Sequence, residues 1–172
     1  KNVGVTGELK SSSTSSIIGS YYNYGRSSKC LIENTYAITT LNNNSGYDVG
    51  GLISLTYWIN KPEIKNCYCA VKIADIQGRV GNFVGGGPIN NNDNQHGWCT
   101  LKNAYYDKTL LPDKFTPSGT GLTTEEMKSA SNYIGTNDDG SIAWDFKEND
   151  SDTDYTWYID PNVNNGYPEL HF

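Results

Sequence analysis

The chain has 172 residues, 36% of them hydrophobic, with 18 glycines and 13 tyrosines; this suits one domain of many short strands and turns, because Gly and Asn tolerate left-handed corners and Tyr fits a half-buried pleated surface. A net charge of −6 repels phosphate backbones and argues against nucleic acid as a partner. The longest apolar stretch, Leu52 to Ile59, is interrupted by Ser54 and Thr56 and is too short for a transmembrane segment.

Taken in chain order, residues 1–16 are Ser-rich and predict an irregular or capping start. No charged stretch followed by an apolar core opens the chain, and Lys1 is not a start methionine. It therefore reads as a processed protein or an excised fragment. Ile17-Ile18-Gly19 reads as a worn copy of a repeat.

From there one phrase recurs three times: Ile32-Glu33-Asn34-Thr35-Tyr36, Ile64-Lys65-Asn66-Cys67-Tyr68 and Leu101-Lys102-Asn103-Ala104-Tyr105. A second phrase falls between them, Val49-Gly50-Gly51-Leu52-Ile53 and then Val80-Gly81-Asn82-Phe83-Val84. The copies begin 32 and 37 residues apart, and the glycine phrases 31 apart. Helical repeats have similar periods. Here β-branched and aromatic residues alternate between Gly and Asn clusters, which favours strands. The expectation is an all-β fold, with each repeat one turn of a short right-handed parallel β-helix (a β-solenoid) and turns about 4.8 Å apart. Equivalent residues then align in structural columns: Ile32, Ile64 and Leu101 inward, Asn34, Asn66 and Asn103 as an amide ladder, and Tyr36, Tyr68 and Tyr105 as stacked rings.

Repeats are expected over 1–121 and a small C-terminal α/β cap over 122–172, covering the exposed edge of the last turn. Thr123 and Glu126 form a capping box, with Met127 and Ala130 on the inner face of a helix from about Thr124 to Asn132. Strands around Ile142–Phe146 and Thr156–Ile159 follow. Asn164-Asn165-Gly166 is a turn, and Trp144, Phe146, Trp157 and Tyr158 form the cap's own small core.

The repeat phrases and the tail, Trp144-Asp145-Phe146, Trp157-Tyr158-Ile159-Asp160 and Asn165-Gly166-Tyr167-Pro168-Glu169-Leu170, resemble the GLUG-motif repeats of bacterial cell-surface proteins and the segment that closes such arrays. The resemblance runs from about Lys29 to Leu170. It implies export to the extracellular space or the bacterial surface, and a non-catalytic adhesion or display role toward host proteins, glycans, the cell wall or copies of itself. It carries no catalytic residues. Asn82 departs from the pattern, standing where the other glycine phrase has a second Gly.

Candidate sites weigh against bland alternatives. Asp150, Asp152 and Asp154 alternate as Ca²⁺ ligands do, yet the sixth-position Gly and a bidentate Glu are missing, which favours a solvated turn and no cofactor. His96 and His171 have no nucleophile context, and Gly85-Gly86-Gly87 lacks the Lys and helix of a phosphate loop. Cys67 and Cys69 share a strand face about 6.6 Å apart. With Cys30 and Cys99 they read as buried free thiols, a disulfide between two turns being the alternative. Tyr21, Tyr22 and Tyr24 with Trp58 and Trp98 could offer an aromatic platform for a sugar, the mark of a carbohydrate-binding module, or could pack inside.

Overall fold

Asparagine sets the corners of this molecule. In the computed structural model, which describes residues 1–10, 14–22, 30–42, 48–57, 62–74, 80–86, 99–111 and 117–172, Asn2, Asn34, Asn66 and Asn103 all take left-handed backbone, at φ of 57°, 47°, 51° and 47°. Among non-glycine residues Asn bears that conformation best, since its short amide can bond locally.

Strands run away from these corners in successive passes. The first pass supplies β1 (Val3–Lys10), β2 (Thr14–Ser15) and β3 (Ile18–Tyr22); the second supplies β4 (Leu31–Asn42), β5 (Val49–Gly50) and β6 (Ile53–Tyr57). The third gives β7 (Glu63–Ala74), β8 (Val80–Gly81) and β9 (Val84–Gly86), and β10 (Thr100–Asp107) and β11 (Thr120–Leu122) follow. They form three parallel sheets in the orders β1-β4-β7-β10-β11, β2-β5-β8 and β3-β6-β9, so strand neighbours come from consecutive passes. The fold is all-β. The register matches the repeated phrases residue for residue: Ile64 lies opposite both Ile32 and Leu101.

Two devices fix that register. Beyond two of the Asn corners the small residue points inward and bonds back across the corner: Thr35 Oγ1 donates to the Glu33 carbonyl at 3.0 Å, and Cys67 Sγ to the Lys65 carbonyl at 3.0 Å. The glycine phrase makes a second, tighter corner. A Cβ on Gly50 would lie 1.8 Å from the Ile53 carbonyl oxygen, and one on Gly81 1.7 Å from that of Val84, closer than any side chain fits. Asn82 departs from the pattern for a local reason. Its buried amide donates to the Ser118 carbonyl and accepts from Ser118 N at 3.0 Å, standing in for a backbone partner at the end of that sheet.

The N-terminal expectation needs correction. The described residues of that stretch, 1–10 and 14–16, are not an irregular start, for β1 pairs with β4, Val3 opposite Thr35 and Gly4 opposite Tyr36, and β2 with β5. Lys1-Asn2-Val3-Gly4 is a further copy with Gly in the Tyr column. A Cβ on Gly4 would lie 2.2 Å from the Tyr36 ring. Ile17-Ile18-Gly19 belongs to the same pass, Ile18 facing Ile53.

The C-terminal segment differs from the expected α/β cap in two ways. Among the described residues it holds no α-helix; 3-10 turns at Glu126–Lys128 and Ala130–Asn132 replace one. The capping box forms, Thr123 N donating to Glu126 Oε2 at 2.7 Å and Glu126 N to Thr123 Oγ1 at 3.2 Å. Ser129 then turns extended, at φ −125° and ψ 120°, and the Asn132 amide, donating to the Glu126 carbonyl, competes with a helical bond. Ala130 is exposed in consequence, while Met127 is buried. Later in the segment β12 (Trp157–Tyr158) pairs antiparallel with β13 (Glu169–Leu170). Secondly, the segment does not own its core. Met127, Tyr133, Trp144, Trp157, Tyr167 and Leu170 are buried together with Tyr36, Tyr68 and Tyr105 of the five-stranded sheet. It lies across the outer face of three passes, and the last sheet edge, that of β10, is paired by β11 just before the segment.

Candidate functional site

The outer face of the five-stranded sheet is where chemistry-bearing side chains gather. Strand alternation beyond the Asn corner sends Tyr36, Tyr68 and Tyr105 outward, while Ala37, Cys69 and Tyr106 enter the inner core. Tyr36 and Tyr68 stack at 5.2 Å and 5°, as the column predicts, and Tyr167 continues the stack on Tyr68 at 6.3 Å and 13°. Tyr105 meets Tyr133 and Trp144 edge-on instead, at 5.0 and 5.6 Å.

Each hydroxyl of the column donates to the C-terminal segment. Tyr36 donates to Glu169 Oε1 at 2.6 Å, Tyr68 to the Pro168 carbonyl at 2.5 Å, and Tyr105 to the Ile134 carbonyl at 2.6 Å. Asn164 Nδ2 donates to the Tyr36 hydroxyl at 3.0 Å and to the Glu169 carboxylate. Burial raises the pKa of Tyr36, Tyr68 and Tyr105, and the Glu169 carboxylate raises that of Tyr36 further. The phenols therefore stay protonated donors. Buried Asp107 closes the set: Oδ2 accepts from the Tyr167 hydroxyl at 2.6 Å and from Thr124 Oγ1 at 2.7 Å, and Oδ1 from Thr109 N at 2.8 Å.

The asparagine ladder is used in the same way. Asn103 Nδ2 donates to Asn66 Oδ1 at 3.1 Å, one rung to the next, and also to the Thr136 carbonyl at 3.1 Å. Asn66 donates onward to Asn137 Oδ1 at 3.0 Å, and Lys102 Nζ meets the Asp138 carboxylate at 2.8 and 2.9 Å. Gly135 passes so close that a Cβ would lie 2.3 Å from Asn103 Oδ1. The charged column also pairs along the stack, Lys65 with Glu33 at 3.4 Å and Lys1 with Glu33.

The sequence-derived aromatic candidates fall mostly outside the described residues. Tyr21 is half-buried against the inner core, and Tyr22 is described by its backbone alone, at the register position of Tyr57. Tyr24, Trp58 and Trp98 lie outside the described residues, as does His96. Asp150, Asp152 and Asp154 form no cation cage, for among the described residues no three His, Cys, Asp or Glu side chains converge to hold a metal ion. The oxygens of Asp152 accept from Glu148 N and Asp154 N at 3.0 and 3.2 Å, and Asp150 faces Lys147 at 3.3 Å. No disulfide joins the four cysteines; Cys67 and Cys69 are buried and Cys30 and Cys99 half-buried. Burial pushes the Cys67 thiol up to about 12, leaving an unreactive apolar side chain.

Sequence reasoning missed two features of the segment. Tyr133 and Tyr167 complete the aromatic cluster, and only non-local packing places them there. The second is a surface group: Tyr155 stacks on exposed His171 at 4.1 Å and 23°, with Tyr158 edge-on at 6.4 Å. Its electrostatic setting was legible as charge segregation. Residues 122–172 carry eleven Asp and Glu against two Lys, net −9, whereas residues 1–121 carry eleven Lys and Arg against eight Asp and Glu, net +3.

No family model matches the chain, and no solved structure does. The chain is similar to a protein of Evansella cellulosilytica that bears the provisional name Gly-rich membrane protein, at 30% identity over 154 residues. The match covers 84% of this chain and 14% of that protein's length. No helix among the described residues is long and apolar enough to cross a membrane.

Proposed function

We propose that the chain is a short right-handed parallel β-solenoid that serves as a non-catalytic attachment or display module of a larger protein at the bacterial surface. The observation that carries this reading is the in-register stacking of Ile32, Ile64 and Leu101 and of the Asn and Tyr columns, resembling GLUG-motif arrays. Its conspicuous polar groups, the tyrosine hydroxyls, Asp107 and Glu169, are engaged in holding the C-terminal segment. They are scaffold. The bacterial relative, named a membrane protein and matched over 14% of its length, supports a modular role and export to the cell surface.

A carbohydrate-binding role is the second reading. It is favoured by the register of β3 and β6, which sets Tyr22 beside Tyr57, the residue before Trp58. Solid-phase binding to host extracellular-matrix proteins, cell-wall sacculi and the protein itself, run beside a glycan array, separates the two. The attachment reading expects retention on one of those surfaces that survives Tyr22→Ala and Trp58→Ala. Glycan binding lost in those variants favours the second reading, and turnover of a polysaccharide sinks both.

A further inference from the structure

We propose that the face of the C-terminal segment bearing Tyr155, Tyr158 and His171 is a docking surface for a basic peptide segment, whose arginine or lysine heads lie over the Tyr155 and Tyr158 rings. The inference rests on the attachment reading and names the chemistry of its partner.

The surface has two parts that call for the same ligand. The first is aromatic: a stacked Tyr155–His171 pair at 4.1 Å, with Tyr158 edge-on to Tyr155, the tyrosines half-buried and His171 exposed. Ring faces attract cations through their quadrupole, and this segment already uses that contact, Lys128 Nζ lying 5.9 Å above the Tyr167 ring. The second is an uncompensated field. Both lysines of the segment face carboxylates, Lys128 at Glu125 and Lys147 at Asp150, each at 3.3 Å. Among the described residues no Lys or Arg pairs with Asp145, Asp152, Asp154 or Asp160. Partial burial first, then Asp152 and Asp154, raise the Asp145 carboxyl, and Asp160 and Glu169 act likewise on the neighbouring Tyr158 hydroxyl. Asp160 and Glu169 thus lie within electrostatic reach of the Tyr158 ring, and Asp154 is the chain neighbour of Tyr155.

A metal ion does not answer this field, because the carboxylates do not converge to chelate one. An extended row of organic cations does: each head can face a ring while its charge is shared among separated carboxylates. The repeat region, at net +3, supplies no comparable attraction.

The test is fluorescence anisotropy of a labelled arginine–glycine octapeptide titrated with the intact chain, beside a glutamate–glycine octapeptide and a glucosamine oligomer. The expected result is saturable binding of the arginine peptide alone. It should weaken at least fivefold in Asp154→Asn/Asp160→Asn, in which the side-chain oxygen at 160 still accepts from the Asn162 amide, and in Tyr155→Leu, with unchanged circular dichroism checking the fold. Salt well above physiological strength should abolish it. Equal affinity in both variants, no saturable binding of the arginine peptide, or tighter binding of the glucosamine oligomer overturns the proposal. Polysaccharide turnover, by contrast, removes the attachment reading whatever the peptides do.

Discussion

The repeat passes and the C-terminal segment reach order by opposite routes. In the passes, backbone bonds join each strand to its equivalent one pass away, and a residue's role is copied: Asn2, Asn34, Asn66 and Asn103 turn the same corner. In the segment the regular strands are β12 and β13, two residues each. Its order comes from side chains that cross to the sheet, and its aromatic core is completed by Tyr36, Tyr68 and Tyr105. The difference teaches that a stack of similar turns can hold itself together through local pairing, whereas a segment without a repeat must borrow a surface. That surface is the tyrosine column.

The comparison can be broken by substitution. The largest effect belongs to Trp157→Ala, since that side chain is fully buried between the segment and the column. It should cost about 4 kcal/mol in thermal or urea unfolding, and a loss below about 1 kcal/mol would show that the borrowed core carries little. Next comes the glycine corner of the repeats. Gly50→Ala should cost about 3 kcal/mol, because the new Cβ meets backbone that cannot retreat cheaply, while Gly19→Ala, with nothing within 4 Å, should leave the melting temperature unchanged. Asn66 serves both regions, so two variants divide its roles. Asn66→Gly keeps the left-handed corner and loses the amide bonds, about 1 kcal/mol, and Asn66→Ala adds about 1 kcal/mol of backbone strain. Equal losses for the two would remove the corner argument.

The smallest effect is electrostatic. Lys102 bonds Asp138 and holds its carboxyl below the usual range, so the pair stabilises the fold above the ordinary carboxylate value and fades as pH falls through the lower folded value. Asp138→Asn should therefore melt slightly lower than the parent near about pH 6, and the gap should close by about pH 2.5 and in high salt. A gap that widens in acid contradicts the sign.

What was legible in the sequence was what repeats. The Ile32, Ile64 and Leu101 register follows from the phrase itself, because parallel passes must superpose equal residues to bury them. The first copy was hidden because its tyrosine is Gly4, and Gly is needed there only once the Tyr36 ring is known to cover it. The segment's capping box was legible, being local; its failure to propagate as a helix was not, because the pull of Met127 and Tyr133 toward the sheet is non-local. The Tyr155–His171 stack pairs residues sixteen apart, and no short-range pattern announces it. The alternation at Asp150, Asp152 and Asp154 allows a ligand set or a solvated turn on spacing alone, and the turn is favoured by what the sequence lacks; in the structure the Asp152 oxygens accept from neighbouring amides.

The borrowed core is tested most directly by hydrogen–deuterium exchange on the intact chain and on Tyr68→Ala, which removes the fully buried centre of the column. Exchange should accelerate across 123–172 while the amides of 31–42 and 63–74 keep most of their protection. A segment that stays protected in that variant is an independently folded unit, and the account of its order is then wrong.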